Sequence, residues 1–240
     1  MGILKGDTPL AGASAGSLLA ACHHCQLETS VVTDACLALA DNCRQGGTRG
    51  RLGRVLKDCL EELLPEDCHE RLRGKAFISV TRAFPVARNE LLSEFKNKDD
   101  VIEALMTSCH IPLWFDNSLM TRFRGALHYD GGLTNFIPLP PTVPVGIRVC
   151  CLPAGQLNTV YPIDITPDSY EDWPYSASEM LSWAFEPADK EVLYELIAKG
   201  RKDARAWALQ TGAAEAAGGE TAVRRAKGDM DRERYPVLKQ

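Results

Sequence analysis

The 240-residue sequence has no long apolar segment and no strong excess of charge of either sign. None of its apolar runs reaches the about 18 residues that a helix needs to cross a bilayer. Residues 1–7 also lack the apolar core of a secretory signal peptide. The net charge is −5, so bulk charge gives no reason to expect nucleic acid as a partner. These absences favour a globular protein of ordinary composition.

The sequence also lacks a second C-x-x-C pair to complement Cys22-His23-His24-Cys25. Structural zinc sites usually need two such pairs, so we expect Cys22 and Cys25 to be core thiols on a helix. The chain has nine cysteines, an odd number spread through helical patterns. This favours reduced, mostly buried thiols in an intracellular, cytoplasmic protein over a disulfide framework.

One short motif near the N-terminus carries chemistry, Gly12-Ala13-Ser14-Ala15-Gly16. This G-x-S-x-G pattern is typical of a nucleophile elbow, a sharp strand-to-helix turn that exposes a serine. The crowded backbone requires small residues two positions before and after Ser14, here Gly12 and Gly16. The following helix directs its free N–H groups, that of Ala15 among them, and its positive dipole end at the serine oxygen, which favours an oxyanion. The alternative is a Gly/Ala-rich turn with a solvent-facing serine.

The sequence has no histidine late enough to activate this serine as in α/β-hydrolases; the last of five is His128. A carboxylate is the alternative base, and Asp130 is the best candidate. It ends a predicted strand just before Gly131 and Gly132, which let the backbone turn and approach closely. The other interpretation of Asp130 is an ordinary turn aspartate. His128 shares its strand face and is placed to tune the carboxylate, although we expect an ordinary strand histidine.

Helical and strand patterns alternate along the chain, which predicts an α/β layered domain over residues 1–211. The composition shifts to Gly, Ala and charged residues after residue 211, so we predict a disordered tail over 212–240. Asp99 and Asp100 are expected to cap a helix. The other predicted helices span 15–27, 29–43, 52–64, a short turn to 72, 176–185 and 188–209, and the strands span 8–11, 76–81, 89–95, 126–129 and 145–152.

The two motifs together, at residues 12–16 and 130–132, resemble the patatin-like phospholipase family, in the branch that contains adipose triglyceride lipase and adiponutrin. The similarity runs from about residue 10 to residue 207. It includes several connecting segments in the same order: Leu63-Leu64-Pro65, Ser79-Val80-Thr81-Arg82, Ser108-Cys109-His110-Ile111-Pro112, Tyr129-Asp130-Gly131-Gly132-Leu133-Thr134-Asn135 and Gly200-Arg201-Lys202-Asp203.

The resemblance implies a three-layer α/β/α sandwich with a mainly parallel central sheet, and hydrolysis of lipid esters without a metal or cofactor. It implies Ser14 as nucleophile and Asp130 as general base. The expected substrates are acylglycerols or phospholipids at a membrane or lipid-droplet surface, and a protein co-activator is left open.

Family members carry a glycine-rich loop upstream of the elbow that supplies most of the oxyanion hole. Only Gly2 and Gly6 precede the elbow here, and neither lies in a run of glycines. The resemblance therefore predicts a domain that is incomplete at its N-terminus and has weakened activity. The alternative function is a catalytically weak or inactive member that acts as a lipid-surface or partner-binding module.

Overall fold

The computed structural model describes residues 3–159 and 161–218, which divide into two compact units. The first, here called the elbow unit, comprises Gly6–Gly146 and Leu181–Lys190. The second, the C-terminal unit, comprises residues 3–5, Ile147–Met180 and 191–218 within the described part of the chain. The single domain predicted over 1–211 stays a prediction.

The elbow unit is built on a five-stranded sheet with helices packed against it. Its helices are α1 (Ala15–His24), α2 (Thr29–Gly46), α3 (Leu52–Leu63), α4 (Cys68–Leu72) and α5 (Lys98–Ser108). Its strands are β1 (Leu10–Ala13), β2 (Ala76–Arg82), β3 (Arg88–Leu92), β4 (Thr121–Phe123) and β5 (Ala126–Asp130). The C-terminal segments contain α6 (Ala177–Ser182), α7 (Lys190–Gln210) and α8 (Ala213–Gly218).

Strand β2 is the centre of the sheet, and its register decides where the neighbouring strands end. Parallel β1 pairs with residues 76–79 of β2, and antiparallel β5 pairs with residues 80–82. Antiparallel β3 pairs with residues 78–82 and overlaps both, so it occupies the other edge. A strand has only two hydrogen-bonding edges, so β1 and β5 lie end to end along one edge of β2 with their C-terminal ends facing each other.

The hydrophobic core lies between this sheet and one layer of helices. The side chains of Ala76, Ile78 and Val80 alternate along β2 and are fully buried. They form one cluster with apolar residues of α1, α3, α4 and α5. Alternation of side chains along a strand puts Ser79 and Thr81 on the opposite face of β2, where they are also fully buried. That face therefore carries hydrogen-bonding groups instead of a continuous apolar surface.

The α/β class is confirmed, and the strand directions are mixed where a mainly parallel sheet was expected. Only β1 and β2 form a parallel pair among the described strands; the β2–β3, β2–β5 and β4–β5 pairs are antiparallel. The entering strand lies two residues later than predicted, at Leu10–Ala13. Pro9 fits because it precedes the strand, and the first ladder bond runs from Leu10 N to Lys75 O at 2.9 Å.

Two local predictions were wrong. The cap of α5 is Asn97, whose side chain accepts a hydrogen bond from the N–H of Asp100, while Asp99 and Asp100 lie inside the first turn. The segment 145–152 forms only an isolated bridge from Val149 to Ile165, because Val145, Ile147 and Val149 are exposed instead of packed.

The C-terminal prediction needs a correction as well. Ala213–Gly218 is helical, which its alanine content favours, although 212–240 was predicted to be disordered. The remainder of that segment, from residue 219, lies outside the described residues. Over the described ranges, no helix has the length and apolar character needed to span a bilayer.

Candidate active site

Ser14 occupies the sharp turn between β1 and α1, in a backbone conformation with φ 51° and ψ −126°. Few non-glycine residues adopt a positive φ, and such strain is typical of functional turns. Gly12 makes the turn possible, because a Cβ at that position would lie 2.2 Å from the carbonyl carbon of Gly16. The predicted need for glycine is therefore confirmed at position 12. A Cβ at Gly16 would meet nothing within 4 Å, so crowding does not require glycine there.

Asp130 ends β5 and begins a tight turn through Gly131 and Gly132. The N–H of Gly132 donates to Asp130 Oδ1 at 2.7 Å, and the hydroxyl of Thr81 donates to the Asp130 carbonyl at 2.8 Å. A Cβ at Gly131 would lie 2.0 Å from the carbonyl oxygen of Ser79 on β2. The turn residues thus fix the rotation of the carboxylate, and Gly131 lets the turn pack directly on the central strand.

The sheet register brings the serine and the aspartate together. Ala13, the last residue of β1, pairs with Ser79, and Asp130 pairs with Val80, the next residue of β2. Ser14 therefore follows β1 at the point where β5 ends. The Ser14 side chain is close enough to Asp130 for its hydroxyl to lower the pKa of the carboxyl group. Both candidates are thus at one site, although 116 positions separate them in the sequence (130 − 14).

The environment of Asp130 makes its carboxyl group harder to ionise than that of an ordinary aspartate. Burial raises the pKa of Asp130 above its ordinary value, and hydrogen bonds from the Gly132 N–H and the Ser14 hydroxyl oppose this rise. The side chain is almost completely buried, with 6% of the residue exposed. A carboxylate with a raised pKa is a better proton acceptor than an ordinary aspartate, which is the property that a general base requires.

The segment Ser108-Cys109-His110, at the end of α5, contacts both halves of the site. The hydroxyl of Ser108 accepts the N–H of Ser14 at 3.0 Å, and the carbonyl of His110 accepts the N–H of Asp130 at 2.9 Å. The Cys109 thiol lies near Asp130 and Ser14, and burial raises its pKa. Sequence reasoning did not assign these residues a role; the only available signal was their place among the segments that resemble the family.

The start of α1 offers backbone donors beside Ser14. The first N–H groups of a helix have no partner within the helix, and α1 begins at Ala15. The N–H of Ser14 itself is bonded to Ser108, and that of Ser17 donates to Ser14 O at 2.9 Å. The N–H groups of Ala15 and Gly16 are therefore the elbow donors that remain for an oxyanion.

The other candidates have structural surroundings. His128 is buried in β5, with Nε2 3.6 Å from Glu90 Oε2 and Nδ1 3.3 Å from the Ala126 carbonyl. It is therefore an ordinary strand histidine whose ionic neighbour is Glu90. Cys22, within α1, and Cys25, just after its end, are both buried, as predicted for core thiols. Among the residues that the structure describes, no group of three His, Cys, Asp or Glu side chains is placed to hold a metal ion.

Comparison with known proteins gives a family-model match that includes both motifs and several similar proteins. The family model for patatin-like phospholipase matches residues 8–143. A Mus musculus protein named 1-acylglycerol-3-phosphate O-acyltransferase Pnpla3 is 31% identical over 214 residues, covering 84% of this chain and 51% of the relative. Patatin-like phospholipase domain-containing protein 2 of Mus musculus is 29% identical over 221 residues, covering 84% of this chain and 43% of the relative.

A third relative has a different printed activity. The omega-hydroxyceramide transacylase of Mus musculus is 31% identical over 133 residues, covering 53% of this chain and 22% of the relative. The chain thus spans about half, or less, of the length of these curated relatives.

Proposed function

Because this chain belongs to the patatin-like phospholipase family, we propose that it cleaves lipid esters by acyl transfer through a Ser14–Asp130 dyad. The observation that carries the proposal is the contact between the two side chains where β1 and β5 meet beside β2. A hydroxyl next to a buried carboxylate has both the nucleophile and the base that ester cleavage needs.

In this mechanism Ser14 Oγ attacks the ester carbonyl while Asp130 accepts its proton. The tetrahedral intermediate collapses, the proton passes from Asp130 to the departing alcohol, and an acyl-serine remains. Water then attacks the acyl carbon, again with Asp130 as base, and releases the fatty acid. The N–H of Ala15, at the positive end of the α1 dipole, is the donor that we assign to the oxyanion.

The substrates that we propose are acylglycerols or phospholipids at a membrane or lipid-droplet surface inside the cell. Two apolar side chains follow the glycine turn and are exposed, Leu133 with 62% and Phe136 with 44% of their surface accessible. A Cβ at Gly132 would lie 3.4 Å from the Phe136 ring and 4.0 Å from Ala13 Cβ, so Phe136 is beside the elbow. Exposed apolar groups at the mouth of the site suit long acyl chains.

A second candidate function is transfer of the acyl group to a lipid alcohol. The printed names of two relatives, an O-acyltransferase and a transacylase, favour it. The first half of the mechanism is the same, because the acyl-serine forms before the acceptor arrives. A lipid hydroxyl then takes the place of water, and its proton goes to Asp130. The two functions differ only in the acceptor and are separated by product analysis.

The test is hydrolysis of a medium-chain p-nitrophenyl ester, followed by product analysis with a lipid alcohol present. We expect Ser14→Ala to abolish turnover and Asp130→Asn to lower it by about two to four orders of magnitude. Matched controls are Ser30→Ala, at an exposed position of α2, and Asp116→Asn, whose carboxylate bonds Ser118. If both site variants keep the wild-type rate, the proposed dyad is wrong. If the wild-type protein has no turnover, the binding-module alternative replaces it.

A further inference from the structure

The backbone of Ser14 is held in place by a residue from outside the elbow. Ser14 has a positive φ, so its backbone must be held by contacts outside the turn. Its N–H is bonded to the hydroxyl of Ser108, which is 94 positions away in the sequence. Ser108 is fully buried at the C-terminal end of α5. The conformation of the elbow is therefore tied to the C-terminal end of α5, which is far from it in the sequence.

The hydrogen-bond directions at Ser108 are fixed by its two partners. Its hydroxyl donates to the Ser79 carbonyl of β2 at 2.7 Å, which uses its one proton. A lone pair of the same oxygen then accepts the Ser14 N–H at 3.0 Å. The hydroxyl thus bridges the central strand and the elbow. Replacing it would leave the Ser14 N–H and the Ser79 carbonyl without this partner in a buried place, which is costly.

We propose that Ser108 is a positioning residue that sets the orientation of Ser14 relative to Asp130. This inference rests on the proposed function of the dyad and extends it to the residue that aligns it. The same segment anchors Asp130, because the His110 carbonyl accepts its N–H. One short stretch, residues 108–110, therefore bonds to the backbone of both the nucleophile and the base.

The hydrogen bond between Ser14 and Ser108 also decides which N–H groups are available to bind an oxyanion. With its N–H directed at Ser108, Ser14 presents its hydroxyl to Asp130 and leaves the oxyanion to the donors at the start of α1. Without the bridge the elbow can rotate, and the Ser14 hydroxyl leaves its aligned position. A displacement of about 1 Å of a reacting group can cost about a hundredfold in rate.

The experiment measures reaction of Ser14 with a fluorophosphonate probe in the full chain. Ser14 Oγ forms a bond to phosphorus, fluoride leaves, and the hydroxyl proton passes to Asp130. Ser108→Ala removes the bridge, Ser108→Cys keeps a weaker donor and acceptor, and Thr107→Val is the matched control. Thr107 is also buried, and its hydroxyl donates only within α5, to the Glu103 carbonyl at 2.7 Å.

We expect Ser108→Ala to lower the limiting rate of labelling by about ten- to a hundredfold, with the half-saturating probe concentration little changed. Ser108→Cys should be intermediate, and Thr107→Val should label like the wild type. A merely structural role would lower thermal stability equally in the Ala and Val variants and would leave the limiting rate of the folded fraction unchanged. That result would overturn the proposal.

Amide hydrogen exchange gives a readout that does not depend on catalysis. The Ser14 amide should exchange faster in Ser108→Ala than in the wild type or in Thr107→Val, because it loses its acceptor. Equal exchange in all three proteins would overturn the proposal even if labelling fell. If the wild type does not label at all while exchange differs as expected, the proposed dyad fails and the bridge that holds the elbow stands.

Discussion

Replacing each of the two elbow glycines by alanine should destabilise the protein at Gly12 but not at Gly16. In Gly12→Ala the new Cβ would lie 2.2 Å from the Gly16 carbonyl carbon, 2.3 Å from its oxygen and 2.4 Å from the Ser17 nitrogen. All three are backbone atoms at the start of α1, so no side-chain rotation relieves the overlap. In Gly16→Ala the new Cβ would meet nothing within 4 Å.

The magnitudes follow from these contacts. Overpacking typically costs about 1 to 3 kcal/mol, and we expect Gly12→Ala to cost at least about 3 kcal/mol because helix backbone must move. For a protein of this size that lowers Tm by about 6 to 12 °C. Gly16→Ala should change stability by between 0 and about +1 kcal/mol, because alanine favours the helix.

The assay is thermal unfolding of both variants beside the wild type, with fluorophosphonate labelling of Ser14 on the folded proteins. We expect Gly12→Ala to lose stability and labelling, and Gly16→Ala to keep its stability. Equal Tm values for the two variants would refute the argument that the elbow brings Gly12 against the backbone of Gly16.

Three further predictions concern ionisable groups. Burial raises the pKa of Asp130, so the rate of Ser14 labelling should fall with acid through a pKa above that of an ordinary aspartate, and an acid limb at or below about pH 4 would contradict this. The folded state binds the Asp130 proton more tightly than the unfolded chain does, so ionisation of this buried carboxyl group lowers the stability of the folded protein. Asp130→Asn should therefore raise Tm at pH 7, and the gain should vanish below about pH 4. Hydrogen bonding from Cys150 lowers the pKa of exposed Cys151, whereas burial raises the pKa of Cys22 to about 11. Mass spectrometry after brief alkylation should therefore find Cys151 modified well before Cys22.

The residues of the site were predictable where local chemistry restricts the choice. A serine on a sharp turn needs a glycine two positions earlier, and the Gly12–Gly16 approach confirms this. Asp130 was predictable because glycines follow a strand, and Gly131 does pack against Ser79 O. Strand β2 was predictable because four of its seven residues are apolar, Ala76, Phe77, Ile78 and Val80, and it is buried along most of its length.

The role of Ser108 was not predictable from the sequence. Its bond to Ser14 joins residues 94 positions apart, and a serine near a helix end is usually read as a local polar group. The strand predicted over 145–152 failed for a related reason, because an apolar pattern becomes a strand only where other elements cover it. Long-range pairing decided both cases, and neither is encoded in a window of neighbouring residues.

The central claim is that Ser14 and Asp130 act as one unit, and a double-mutant cycle on ester hydrolysis tests it most directly. Groups that act together in one step are strongly non-additive. We therefore predict that Ser14→Ala and the double variant with Asp130→Asn have the same residual rate within about threefold. A double variant whose loss is the product of the two single losses would show that the serine and the aspartate act independently, which contradicts the account.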